Sequence, residues 1–132
     1  MNAERLLKVC EVLSKVPAKK FNLATWIDRD PDTCGRRTCG TVACAIGWAA
    51  QDPWFKKRGL RLNKYDEPVV HGFDNMGESP LDDISAFFDI EVSDVHYLFL
   101  SPYYRYFDKT TKYEVIERIK KFVATKAREE NL

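Results

Sequence analysis

Hydrophobic positions near the start of the chain recur with a helical period. Leu6, Val9, Cys10, Leu13 and Val16 fall at i, i+3, i+4, i+7 and i+10, one apolar stripe on an otherwise polar segment. Asn2 is a good N-cap, Glu4 suits the first turn, and Pro17 ends the helix. On that stripe Cys10 reads as a small core residue. Phe21, Leu23, Trp26 and Ile27 then offer anchors from a connecting segment, and "DRDPDTCGRR" is rich enough in turn residues to predict an exposed loop.

The pattern changes in "TCGTVACAIGWAA", residues 38–50. Thr38 as N-cap and "DP" as a stop predict a helix reaching Gln51. Gly40, Ala43, Gly47 and Ala50 would form a stripe almost without side chains. Val42, Ile46 and Ala49 would line a second face, and Cys44 with Trp48 a third. A helix apolar all round is a buried one. Its small-residue stripe admits a neighbouring helix closely, at about 1 kcal/mol of lost propensity per glycine.

Farther on, Leu60 and Leu62 alternate with Arg61 and Asn63, and "PVV" is placed to pair with them, so a small β-hairpin is expected, with Pro68 on an edge. In "ESPLDDISAFFDI", Ser79 caps, Pro80 takes the first helical position, and Leu81, Ile84, Phe87 and Phe88 point inward. Ser93 is expected to cap a short helix carrying Val95, Leu98 and Phe99, ended by Pro102. Thr111 and Glu114 predict a capping box for a last helix whose inner face is Val115, Ile116, Ile119, Phe122 and Val123. Glu114–Arg118 and Glu117–Lys121 are expected as i,i+4 pairs on its outer face. The fold class is therefore mainly α. Residues 1–132 are expected to form a single compact domain of about five helices around a buried central helix, with the small hairpin added.

Taken in order, the "ERLLKVCEVL" helix, "CGTVACAIGWA", "GLRL", "FFDIEVSDVHYLF" and "TTKYEVIERIKKFV" resemble a family of uncharacterised small phage and bacterial proteins. The resemblance covers nearly the whole chain, and "CGTVACAIGW" is its most specific block. It implies a phage or bacterial origin and a cytoplasmic role, and it carries no catalytic residues with it. Small phage proteins often redirect or inhibit host proteins by binding them.

Composition narrows the classes. With 45% hydrophobic and 31% charged residues the chain is expected to fold rather than remain disordered. No apolar run approaches the roughly 18 residues that would cross a bilayer, and the first residues lack a signal peptide's apolar segment. A cytoplasmic location, no membrane association and four free thiols follow as expectations. The net charge of +1 conceals an asymmetry. Residues 1–64 hold 13 Lys/Arg against 6 Asp/Glu, a net of +7, and residues 65–132 hold 8 against 14, a net of −6. Such polarity suits a steered protein partner or internal complementarity between the halves.

Cys39 is the best candidate for thiol chemistry. At the first turn of the expected helix, after Arg36 and Arg37, it would have its thiolate favoured by the helix dipole and by charge. His71 is the candidate base, with Asp74 or Asn75 to orient it. Cys34, Cys39 and Cys44, with Cys10, His71 or His96 as a fourth ligand, have only loose zinc spacing and no tight C-x2-C pair, so no metal and no cofactor are assigned. "FDIEVSDVHYLF" superficially resembles a helix-turn-helix but would bring Asp89, Glu91 and Asp94 against phosphates, so sequence-specific DNA binding is rejected. "YYRYF" offers Tyr104 and Arg105 as partner contacts, with Phe107 and one tyrosine expected to roof the core. The basic turn at Lys56, Lys57 and Arg58 is a second contact candidate. The expected function is a non-enzymatic phage or bacterial protein that binds and modulates a host or partner protein. A cysteine-dependent hydrolase or transferase using Cys39 and His71 is the alternative.

Overall fold

The computed structural model describes residues 1–23, 28–29, 41–64, 67–70 and 80–130. Among them are six α-helices and two small antiparallel strand pairs, so the chain is mainly α as its periodicity predicts. Helix α1 spans Ala3–Ser14, and the Asn2 carboxamide oxygen accepts from the Arg5 N–H at 3.1 Å. All five residues of the predicted stripe, Leu6 through Val16, are buried. The last helix, α6 (Lys112–Glu130), lies against α1, where the Cys10 thiol points to the Ile116 carbonyl at 3.7 Å. Its capping box forms as expected. The Thr111 N–H donates to the Glu114 carboxylate at 3.2 Å, and the Glu114 N–H donates to Thr111 Oγ1 at 3.3 Å.

Helix α4 (Pro80–Phe88) and helix α5 (Val92–Phe99) close the core with Ile84, Phe87, Phe88, Val95, Leu98 and Phe99. Between them Asp89 takes φ 53°, a left-handed helix end that a short polar side chain tolerates better than a bulky one. Helix α5 starts two residues earlier than expected. Glu91 is its N-cap, with its N–H donating to the Asp94 carboxylate at 3.2 Å, so Ser93 lies inside the helix. Arg5 joins α1 to α4: Nη1 donates to the Phe87 carbonyl at 2.8 Å, and the guanidinium lies 4.1 Å from the centre of that ring. The hairpin is present as strands β3 (Leu60–Leu62) and β4 (Pro68–Val70), with Leu60 opposite Val70 and Leu62 opposite Pro68. Gly59 at φ 100° turns the chain into it from helix α3 (Pro53–Lys57).

The long helix expected over residues 38–51 is not what forms. Strand β2 (Thr41–Val42) pairs with strand β1 (Asp28–Arg29), Ala43 bridges to Phe21, and helix α2 runs only over Ala45–Ala49. The β-branched Thr41 and Val42 fit an extended chain better than a helix, and the glycine content lowers the helical alternative further. Cys44 supplies the N-cap in place of Thr38, its Sγ accepting from the Gly47 N–H at 3.4 Å. Because Ala43 is extended, the expected small-residue stripe is not a single helical face. The segment is nevertheless the buried centre of the fold, with Ala43, Cys44, Ala45, Ile46, Ala49 and Ala50 all at 1% exposure or less.

Candidate functional site

Three sets of residues carry candidate chemistry, and they occupy different settings. The thiol proposal rests on Cys39 and His71, with Arg36, Arg37, Asp74 and Asn75 around them; all six lie outside the described residues, as does Cys34. One part of the argument for it is corrected by the fold. The helix whose end would favour the Cys39 thiolate is capped six positions later than expected, at Cys44 in place of Thr38. Cys44 itself is unsuited to nucleophilic work, because burial pushes its thiol up to about 11 from the ordinary 9.0. Cys10 is pushed to about 11 by the same cause. Among the described residues no group of three His, Cys, Asp or Glu side chains is placed to hold a metal ion.

The basic turn stays at the surface. Lys56, Lys57 and Arg58 are all exposed around the end of α3. Arg58 is held there: its guanidinium stacks 3.5 Å from the Trp54 ring centre, and Nη1 donates to the Trp54 carbonyl at 3.0 Å.

The connection between α5 and α6 is the most distinctive surface. Two 3-10 turns, Ser101–Tyr103 and Phe107–Lys109, carry it across. Here the inside-outside assignment of Tyr104 and Phe107 is reversed from expectation. Tyr104 is 5% exposed, and its hydroxyl donates to the Leu98 carbonyl at 2.6 Å, so it is not a free contact residue. Burial pushes that phenol well above its ordinary range. The reason lies in the end of α5, whose last carbonyls need donors; a tyrosine turning back can supply one and a phenylalanine cannot. Phe107 is instead 58% exposed, in the left-handed region at φ 50°. Arg105 is exposed as expected, 5.6 Å from the Tyr106 ring centre.

Around that turn the exposed aromatic surface is concentrated. Tyr97, Tyr103, Tyr106 and Phe107 are each between 46% and 58% exposed. Arg118 of α6 organises the ground beneath them. Its Nη1 donates to the Tyr97 carbonyl at 2.9 Å and the Tyr103 carbonyl at 2.7 Å, while the guanidinium lies 4.3 Å from the Tyr97 ring centre and 3.7 Å from that of Tyr104. The expected Glu114–Arg118 pair gives way to this arrangement, with Glu114 engaged by Thr111. Glu117–Lys121 does form, at 3.2 Å. A cleft of about 650 Å³ opens here, lined by Tyr97, Tyr104, Arg105, Tyr106, Glu114, Glu117, Arg118 and Lys121.

Sequence reasoning singled out this segment through "YYRYF" but not Tyr97 or Arg118 beside it. Tyr97 was legible, since it falls off the stripe of Val95, Leu98 and Phe99 and must face outward. Arg118 carried no signal, because the nearby Glu114 offered it an ordinary helical partner. No helix among the described residues is long and apolar enough to cross a membrane. Comparison with protein-family models, with curated proteins and with solved structures gives no match to this chain.

Proposed function

We propose that this chain is a non-enzymatic binding protein that contacts a protein partner through the surface formed by Tyr97, Tyr103, Arg105, Tyr106 and Phe107. The observation that carries this reading is the exposure of Tyr103, Tyr106 and Phe107 on one connection, with Tyr97 of α5 and Arg105 beside them, whereas Phe55, Phe87, Phe88 and Phe99 are buried. Tyrosine and arginine are the residue types in which binding energy concentrates at interfaces. The left-handed backbone at Phe107 adds support: a bulky residue in that region costs about 1–2 kcal/mol, and here the cost accompanies a ring held out in water. Lys56, Lys57 and Arg58 form a secondary, charge-based contact that steers rather than anchors. The resemblance to small phage and bacterial proteins supports a partner in a bacterial cell, where binding would modulate a host protein.

Affinity isolation from bacterial lysate tests the reading, with the intact chain compared against a Tyr103→Ala, Tyr106→Ala, Phe107→Ala variant. A specific partner retained by the original and reduced at least about tenfold by the triple variant is the expected result. Equal retention by both would remove this surface from consideration. Charge reversal at Lys56, Lys57 and Arg58 should slow capture and make it less salt-dependent without abolishing it.

A further inference from the structure

The cleft beside Arg118 has a charge pattern that the fold leaves incomplete. Three cations (Arg105, Arg118 and Lys121) and two carboxylates (Glu114 and Glu117) line it, which leaves one positive charge in excess. The carboxylates are already occupied. Glu117 pairs with Lys121 at 3.2 Å, and Glu114 accepts from the Thr111 N–H at 3.2 Å. Neither Arg105 nor Arg118 has a carboxylate at ion-pair distance among the described residues.

Arg118 is also unusually well fixed for an arginine that lacks a counter-ion. A guanidinium has five N–H donors, of which the Nη1 pair is taken by the Tyr97 and Tyr103 carbonyls. The guanidinium also lies 3.7 Å from the Tyr104 ring centre. Three donors remain, on a group already immobilised by two carbonyls and two rings. A guanidinium held in this way loses little further freedom when it binds an oxyanion.

We infer that this cleft binds a carboxylate side chain from an acidic segment of the protein partner. Arg118 receives the carboxylate, Arg105 at the rim adds the second charge-assisted contact, and the Tyr97 and Tyr106 rings flank the aliphatic stem. Charge selects the ligand. An excess of one positive charge matches a monoanionic carboxylate, whereas a phosphate dianion would face Glu114 and Glu117 with more charge than the arginines balance. The inference rests on reading this face as the partner surface and adds what the partner must carry.

The test uses the isotopically labelled full chain and three probes: a capped hexapeptide with two adjacent glutamates, its glutamine counterpart, and inorganic phosphate. The Arg118 Nε–H resonance reports occupancy. Saturable movement by the glutamate peptide is expected, with the glutamine peptide at least about tenfold weaker and Arg105→Gln weakening the glutamate peptide by about tenfold. Arg105 is exposed and braces no backbone carbonyl among the described residues, so that variant should keep the fold; an unchanged thermal midpoint verifies it. Equal binding of both peptides, tighter binding of phosphate, or no movement by any probe overturns the inference. If the aromatic triple variant loses the partner while the glutamate peptide fails to bind, the surface stands and the acidic specificity falls. If partner retention also survives the triple variant, both fall.

Discussion

The segment Thr41–Ala50 and the connection Leu100–Thr110 invert one another. The first holds a thiol and an indole, Cys44 and Trp48, and engages both structurally. Cys44 caps α2, and the Trp48 indole donates to the Lys20 carbonyl at 3.0 Å. The second holds large aromatic rings, which ordinarily build cores, and leaves Tyr103, Tyr106 and Phe107 in water. Unusual composition in one place marks tight packing; ordinary composition in the other marks an unfilled surface. What separates them is whether each side chain's needs are met within the fold.

The sharpest way to break this contrast is to truncate one residue from each region. Ile46→Ala removes a fully buried side chain and should destabilise the protein by about 2–5 kcal/mol in urea unfolding. Tyr106→Ala should alter stability by no more than about 0.5 kcal/mol. Comparable losses at both positions would mean that the exposed rings are part of the folding core.

Lys112→Met probes a polar counterpart within the core. The Lys112 ammonium is buried and donates to the Ser14 and Val16 carbonyls at the end of α1, so its loss should cost about 1–3 kcal/mol per carbonyl left unsatisfied. Loss of less than that in chemical unfolding would imply that water enters to replace it.

Thiol chemistry sharpens the same comparison through pH. Folding raises Cys10 and Cys44 from 9.0 to about 11, so above pH 9 the unfolded state gives up protons that the native state retains. The stability these neutral thiols contribute is complete below pH 9 and is lost as pH rises toward 11. Buried Tyr104, shifted in the same direction, reinforces the loss. Urea midpoints measured from pH 8 to 11 should fall steadily, and peptide mass spectrometry should find both thiols unalkylated at pH 8 without denaturant. Rapid labelling of Cys44 in the folded chain would contradict its place in the core.

The smallest effect has the opposite sign. Phe107→Asn relieves a left-handed phenylalanine with a residue that tolerates that region, and should raise stability by about 0.5–1 kcal/mol while weakening partner capture. A destabilised variant would show that the ring packs against something.

Much of the architecture was readable from periodicity. The α1 stripe, the α6 capping box, the presence of the hairpin and the burial of Phe87, Phe88, Leu98 and Phe99 all follow from spacing, because each is fixed by local geometry plus a single apolar face. The 38–51 region was misread because small apolar residues have no face to reveal, so periodicity could not separate a strand from a helix. Thr41 and Val42 were the signal for the strand. Tyr104 and Phe107 exchanged places for a different reason: a hydroxyl was needed at the end of α5, and that need exists only once the chain is folded.

The Lys112 clamp bears on the order in which the molecule is assembled. It joins residues 96 apart in sequence, and α1 buries its stripe chiefly against the helix that begins at Lys112. The first helix therefore finds its main partner only after α6 has been synthesised. That docking closes the long loop late, so until then the emerging chain carries exposed the part of the Leu6, Val9, Leu13 and Val16 stripe that α2 and α4 do not cover. A nascent chain of this design depends on rapid completion, or on a chaperone that shields its first helix until the last one arrives.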